Sequence, residues 1–539
     1  MKQPIPFLAR AAFGVALIVA LATAALSPAS TTATAATNTA TQWPMFGQNY
    51  ANTATGFTKI NQGSVHALKP KWVFTTGGDV SARAAVVDQV AYFPDWAGYV
   101  YAVNANTGAL VWKKNIASDY LGGMVNGQAV SKVVSRTSPF FDAGANTLYL
   151  GTQTGAFLLA INAATGPLRW SYQLDTHPLA VDTSSPILYN GVLYVGVASL
   201  EEGAAANPHY PCCSFRGSVV AVSPTTHTAL WKTYMVPTGY TGGSVWGSTL
   251  VPDPINQTVY ATTGNNYSIP TDPAYQTCIG QPGATEASCL SPDDHFDSVL
   301  ALNMADGTIK WAQRLGSADD WNVACISTQR NCPTGSGPDY DFGSGANLFT
   351  IQTPAGPRAV LGAGQKSGVY SAFDSATGAL LWATQVGPGS SLGGIEWGSA
   401  TDGQRIYVAI GNLSHLGYPG GSSPCSTDCA GSWNALDPAT GKLLWHTPDP
   451  NGAIDLGPLT VANGVVYAPS MAGGASSPNM FALNASSGAI VWSFAAGASV
   501  IAGASIADDT VYWGSGYANL PIPGFTPNNK FYAFSLGGQ

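Results

Sequence analysis

Cys212 and Cys213 stand side by side, and no other residue pair in the chain has such distinctive chemistry. Adjacent Cα atoms lie ~3.8 Å apart across a trans peptide, below the ~4.4 Å at which ordinary disulfides begin. A bond between them is therefore strained and rare, and the alternative is that each pairs elsewhere. The other six cysteines fall at short spacings, Cys278/Cys289, Cys325/Cys332 and Cys425/Cys429, which makes local bridges the expectation. No Cys-x-x-Cys-His occurs, so covalent c-type haem is excluded, and no Cys/His spacing suits zinc. Charged residues make up only 9% of the chain, yet several carboxylates stand together: Glu201-Glu202, Asp319-Asp320 and Asp339-Tyr340-Asp341. Such groups serve as general bases or hold hard cations. Their bland readings are a solvated loop pair and a turn.

The elements that must position these residues repeat along the chain. A motif of an apolar strand, an Asn/Asp-x-x-Thr-Gly turn and a strand ending in Trp recurs. YAVNANTGALVW ends at Trp112, LAINAATGPLRW at Trp170, VAVSPTTHTALW at Trp231 and LALNMADGTIKW at Trp311. SAFDSATGALLW, NALDPATGKLLW and FALNASSGAIVW end at Trp382, Trp445 and Trp492. A half-copy without its Trp, FYAFSL, closes the chain, and an orphan KPKW ends at Trp72. Before each copy runs a short apolar strand, such as those holding Tyr92, Tyr149, Tyr194 and Tyr260. Period-two alternation broken by turn residues predicts strands. Several strands per unit, in eight units, predict an all-β, eight-bladed β-propeller. The split copy predicts that the N- and C-terminal segments close the last blade together, which removes the free sheet edges. The repeated Trp residues read as structural, each docking on the next blade.

Tyr92 to Trp112 and Tyr149 to Trp170 are simple units, whereas Tyr194 to Trp231, Tyr260 to Trp311 and Tyr407 to Trp445 are roughly twice as long. A further insertion follows Trp311. All four cysteine pairs lie in these enlarged stretches, in the middle of the ring, where their loops can meet over one face.

The 539 residues carry a net charge of −8 and no basic stripe, which argues against a nucleic-acid partner. Hydrophobic residues at 45% exclude disorder. Lys2 and Arg10 flank the start of an apolar run, Ala11 to Leu26, which small residues follow. This predicts a signal peptide over residues 1–36 and a single propeller domain over 37–539, soluble once the signal is removed, with no later membrane span, and secreted or periplasmic.

The Trp motif and the eight-blade closure resemble the pyrroloquinoline quinone (PQQ) alcohol dehydrogenase family, and QWPMFGQNYANTATG (Gln42 to Gly56) resembles its opening segment. YPCCSFRGSVVAV, EWGSATDGQRIYVA and GPDYDFG are similar to the polyvinyl alcohol dehydrogenase branch. The likeness covers essentially the whole mature chain. It implies oxidation of alcohols, polyvinyl alcohol or other secondary and polymeric alcohols among them. It also implies PQQ with Ca²⁺ or a lanthanide as cofactors, and electrons passed to an external acceptor such as a cytochrome c.

Carried over position by position, the resemblance implies a metal held by Glu201, with Glu202 as near competitor, by Asn265 in TTGNN, and by Asp339. Asp341 matches a second aspartate that accompanies lanthanide use. Asp339 is also the implied catalytic base. Asn322 stands where a direct alignment of the family's Trp-Asp-Tyr places the base, and Asp319 or Asp320 is the competing choice. For the cofactor, the resemblance implies Arg136, Thr183, Trp246 stacking beneath the ring, Lys366 at the quinone oxygens, Trp397, and the Cys212–Cys213 pair. Two other functions compete: a non-catalytic envelope binding or scaffold module, and a glycan-active propeller enzyme, which needs two carboxylates at glycosidase spacing.

Overall fold

The Trp that ends each motif fastens one sheet to the next. Trp112 Nε1 donates to Ala163 O at 2.8 Å, Trp231 to Met304 O at 3.1 Å and Trp445 to Ala485 O at 3.0 Å. Each such bond is worth about 1 kcal/mol net. The motif glycine receives the ring. Gly307 adopts φ +73°, and a Cβ there would lie 2.4 Å from the Trp231 ring. The sequence therefore keeps Gly for both reasons, conformation and space. VAVSPTTHTALW has no such Gly. His227 takes the left-handed position with φ +58° and stacks on Trp170 at 4.9 Å.

These units make a propeller. The computed structural model describes residues 42–539 apart from 327–329, 419–424, 426–428 and 521, so the proposed signal peptide lies outside the described residues. Among the described residues, eight blade sheets, antiparallel except where Thr55–Gly56 joins blade 7 in parallel, follow one another in chain order. Blade 1 holds Ala85–Val87, Val90–Pro94, Tyr99–Asn104 and Leu110–Asn115, and blade 2 runs from Phe140–Asp142 to Leu168–Gln173. Blade 3 ends at Thr228–Tyr234, blade 4 at Ile309–Arg314, blade 5 at Leu380–Gln385, blade 6 at Leu443–Pro448 and blade 7 at Ile490–Phe494. Blade 8 joins both ends of the chain: Leu68–Thr75 pairs antiparallel with Lys530–Leu536, Trp72 opposite Ala533. The orphan KPKW thus completes the half-copy. Its Trp72 docks on blade 1 through Ala105 O at 2.9 Å.

Inner strands such as Thr147–Gly151 and Ile406–Ile410 are buried at every position. They are covered on both faces by neighbouring blades, which is why they read as apolar runs. Outer strands such as Leu110–Asn115 are largely exposed apart from the Trp. All four local cysteine pairs are bridged, Cys212–Cys213, Cys278–Cys289, Cys325–Cys332 and Cys425–Cys429. The Cys212–Cys213 peptide is cis, with the Cα atoms 3.1 Å apart.

Candidate active site

The long connections of blades 3 to 6 meet over a cavity of about 680 Å³. Its wall contains Arg136, Thr183, Trp246, Asp339, Asp341, Lys366 and Trp397. Seven residues singled out from the sequence, scattered from Arg136 to Trp397, therefore share one space.

The centre is an ion pair. Lys366 Nζ lies 2.8 Å from Asp339 Oδ1 and 3.3 Å from Asp341 Oδ2. Lys366 follows the second strand of blade 5, and its own N–H donates to Asp341 O at 2.9 Å, which locks the two segments together. Asp341 Oδ1 accepts from Asn265 N at 2.7 Å and Oδ2 from Trp246 Nε1 at 2.7 Å. Asn265 uses its amide nitrogen on Trp321 O and Asn266 O, at 2.7 and 2.9 Å. Its Oδ1, like Asp339 Oδ2, is buried with no partner. Asp339 holds a left-handed backbone, φ +63°, and so does Trp397, φ +57°. For a residue as bulky as Trp that conformation is a genuine outlier of the kind found at functional sites.

Trp246 and Trp397 form the aromatic part of the wall, edge to face at 5.1 Å. The Arg136 guanidinium lies 3.9 Å over Trp397, and Lys366 Nζ 5.3 Å from the Trp246 ring. Gly343 leaves room for Trp246, since a Cβ there would stand 2.5 Å from the ring. The mouth is aliphatic: Leu179, Leu200, Ile326, Leu392, Leu413 and Leu520. Leu200 and Ile326 are 51% and 68% exposed, which is high for apolar side chains beside a polar site.

Electrostatics follow from burial. Burial pushes the Asp339 carboxyl well above its ordinary value, and the Lys366 charge opposes that. Burial pulls the Lys366 ammonium down, but Asp339, Asp341, Glu202 and Glu396 outweigh it and hold it above the ordinary lysine value. Glu202 and Glu396 are both pushed up to about 7, first by burial. Four carboxyl groups thus face two cations, Lys366 and Arg136.

Some residues fall elsewhere. Glu201, the implied metal ligand, is not among the residues that line the cavity. Its carboxylate accepts from Ser214 N at 2.8 Å, Phe215 N at 2.7 Å and Tyr210 Oη at 2.7 Å. It therefore pins the loop that carries Cys212 and Cys213. Glu202, the next residue of the short helix Glu201–Ala204, lines the cavity instead. Gly203 and Ala204 of the same helix line it too. Cys212 and Cys213 are likewise absent from the cavity wall. Cys213 Sγ lies 3.9 Å from Tyr267 O, and Tyr267 is the residue that lines the wall. Asn265 stands directly behind the wall, attached to Asp341.

Asp319 supports Asp339 from behind, accepting from Asp339 N at 3.1 Å and Tyr340 N at 2.7 Å. Asn322 Nδ2 ties Tyr267 O to Asn331 O, both at 2.9 Å. Neither it nor Asp320 lines the cavity. Glu396 was missed from the sequence: it is 2% exposed, lines the cavity and has both oxygens unpaired. Its position beside Trp397 was the available signal.

The donors present suit a hard cation. Asn265 Oδ1 and Asp339 Oδ2 are unpaired oxygens, and Glu202 faces the same space. Among the described residues no three His, Cys, Asp or Glu side chains form a ready-made cluster, so an amide and a bound organic ligand would have to complete the shell.

The profile of a family described as outer membrane protein assembly factor BamB, PQQ_2, matches residues 33–313 and 430–533. A polyvinylalcohol dehydrogenase of a Pseudomonas species is 29% identical over 518 residues, covering 89% of this chain and 74% of that protein. Among solved structures, a quinohemoprotein alcohol dehydrogenase from Pseudomonas putida HK5 superposes with a TM-score of 0.68 at 20% identity, over 92% of this chain and 80% of that one. A europium-containing methanol dehydrogenase superposes with a TM-score of 0.67 at 18% identity, over 92% and 98%. These structural likenesses concern the fold.

Proposed function

The chain belongs to the PQQ_2 family of repeat propellers, and we propose that it is a PQQ-dependent alcohol dehydrogenase. The observation that carries this reading is the buried Lys366–Asp339 pair, 2.8 Å apart, with Asp339 Oδ2 left unpaired in a cavity roofed by apolar side chains. When bound, PQQ supplies the acceptor for the hydride that leaves the carbinol carbon, and a hard cation beside it sharpens that acceptor.

The chain's own residues do the rest. Trp246 offers a flat floor, and Arg136 and Lys366 offer cations to an anionic, planar ligand. Glu202, Asn265 and Asp339, with Asp341 beside them, would hold Ca²⁺ or a lanthanide through oxygen. Asp339 Oδ2 is placed to accept the hydroxyl proton of the alcohol, and the Lys366 charge favours the ionised carboxylate against burial. Lys366 also answers negative charge that develops nearby. The aliphatic mouth excludes water and fits a substrate with a hydrocarbon backbone. Polyvinyl alcohol or other secondary and polymeric alcohols meet that description, and the related polyvinylalcohol dehydrogenase agrees.

Electrons leave to a separate acceptor such as a cytochrome c. The bridged cysteines support a secreted or periplasmic location, with residues 1–36 as the signal peptide. Among the described residues no helix is long and apolar enough to cross a membrane. A purely structural propeller has no use for four carboxyl groups around a buried lysine, each costly to desolvate.

Reconstitution tests the reading. Purified protein receives PQQ with Ca²⁺ or La³⁺, and dye reduction is followed with primary, secondary and polymeric alcohols. Absence of turnover with every alcohol, under both metals, rejects it.

A further inference from the structure

Beside Trp397 lies a second, smaller cavity of about 30 Å³, room for one water-sized body. Arg83 lines it and is 1% exposed. Its guanidinium donates to Phe46 O at 2.7 Å, Leu459 O at 2.8 Å and Thr460 Oγ1 at 3.0 Å, all neutral acceptors. The rings of Phe46 and Trp43 flank it at 4.8 and 5.4 Å. Its Nε has no partner. Among the described residues neither Arg83 nor Arg136, which lines the same cavity, forms an ion pair. No carboxylate belongs to the lining. Burial alone pulls the Arg83 pKa down, to about 9, with no acid acting on it, so it stays charged near neutrality.

Two hydroxyls on the same wall also look for an acceptor. Ser138 Oγ accepts from Arg83 N at 3.0 Å, and Ser185 Oγ accepts from Ser138 N at 3.0 Å. Each hydroxyl keeps its own proton to donate, and among the described hydrogen bonds neither donates it. A fully buried cation without a counter-charge is among the costliest arrangements in a protein interior. Here it adjoins a void, a second arginine and two free O–H donors.

We propose that this cavity binds one small monovalent inorganic anion of the halide class, held by Arg83, Ser138 and Ser185 and faced by Arg136. The anion neutralises the centre of the ring where Phe46, Arg83 and Leu459 join blades 1 and 7 to the start of the described chain. Its site adjoins the dehydrogenase cavity, and Arg136, Thr183 and Trp397 line both.

The test uses the mature full chain, with and without PQQ. Melting is followed at matched ionic strength in chloride, bromide or gluconate, and bromide-soaked crystals are measured at the bromine edge. Chloride and bromide raise Tm saturably, by about 2–3 °C at a hundredfold excess over Kd, while gluconate does not. The anomalous peak falls in the cavity, within hydrogen-bond reach of Arg83 and the two serines, and Arg83→Met loses both signals. A cavity that holds only water in the wild-type crystals overturns the proposal without recourse to the variant. So does a halide effect that persists in Arg83→Met. Displacement of the bromide peak by PQQ overturns it too, because the counter-charge would then be a carboxylate of that ligand. None of these results bears on alcohol turnover, so the proposal and the dehydrogenase reading fail separately.

Discussion

Lys366 Nζ stands 2.8 Å from Asp339 Oδ1, with the two side chains 6% and 1% exposed. The pair joins two segments of the blade 5 region 27 residues apart, and it places the single buried ammonium of the cavity against its candidate base. A buried pair is expensive to break from one side only, because the other charge stays behind unpaired.

Lys366→Met therefore carries two consequences. Stability falls by about 3–5 kcal/mol, the usual cost of orphaning one partner of a buried pair. Turnover falls as well, since burial now acts on Asp339 without the lysine to oppose it and favours the protonated acid. Lys366→Arg keeps the charge and recovers most of the stability. Calorimetry measures the first effect and dye-linked kinetics the second. Unchanged melting in Lys366→Met would show that the pair is not formed.

Asp339→Asn separates the base from its competitors. Loss of a general base costs about 10²–10⁴-fold in rate, while the amide oxygen still offers a donor to a metal. PQQ binding is therefore retained and turnover is lost. Asp320→Asn leaves turnover within a few-fold, because Asp320 does not line the cavity. Asp319→Asn is intermediate, through its two backbone bonds to the Asp339–Tyr340 segment. Steady-state kinetics with PQQ equilibrium dialysis on all three variants ranks them. A milder effect at Asp339 than at Asp320 moves the base to the earlier segment.

The two glutamates part company in the same way. Glu202→Gln lowers metal retention and PQQ affinity about 10-fold or more, with melting little changed, since this carboxyl faces the cavity. Glu201→Gln acts on structure: it replaces an acceptor of two backbone N–H groups by an amide that must turn one donor toward them. The Tyr210–Phe215 loop loosens, which limited proteolysis reports, while metal content stays near wild type. Metal analysis showing the loss in Glu201→Gln instead would restore the original assignment.

That exchange marks the limit of what the sequence conveyed. The eight blades were legible because the Trp, the turn glycine and the inner Tyr recur at fixed offsets, and each has a local physical reason. The closure was legible from the half-copy and KPKW. The gathering of Asp339, Lys366 and Trp246 was legible through the family likeness, since each sits beside a regular strand whose position the repeat dictates. The choice between Glu201 and Glu202 was not, because it depends on how a one-turn helix is rotated by the Tyr210–Phe215 loop folding back on it. The distance of Cys212 and Cys213 from the cavity has the same origin: Tyr267, from another blade, comes between. Glu396 escaped because a lone acid in an inner connection carries no periodic signal, and only its burial with two unpaired oxygens reveals it.

Asp320 yields the last prediction, one about pH rather than catalysis. Burial, then the neighbouring Glu286, push its pKa up to about 9. An unfolded aspartate titrates near 3.9. Between roughly pH 4 and 9 the folded state therefore holds a proton that the unfolded state has released, and stability declines as pH rises through that window. Asn reproduces the shape and hydrogen-bonding character of the neutral acid without that proton. Asp320→Asn should melt like the wild type near pH 4, melt higher at pH 8, and show a flatter dependence of Tm on pH between them. Differential scanning calorimetry from pH 4 to 9 decides it. Parallel curves for the two proteins would mean that Asp320 is ionised in the fold and finds its compensation elsewhere.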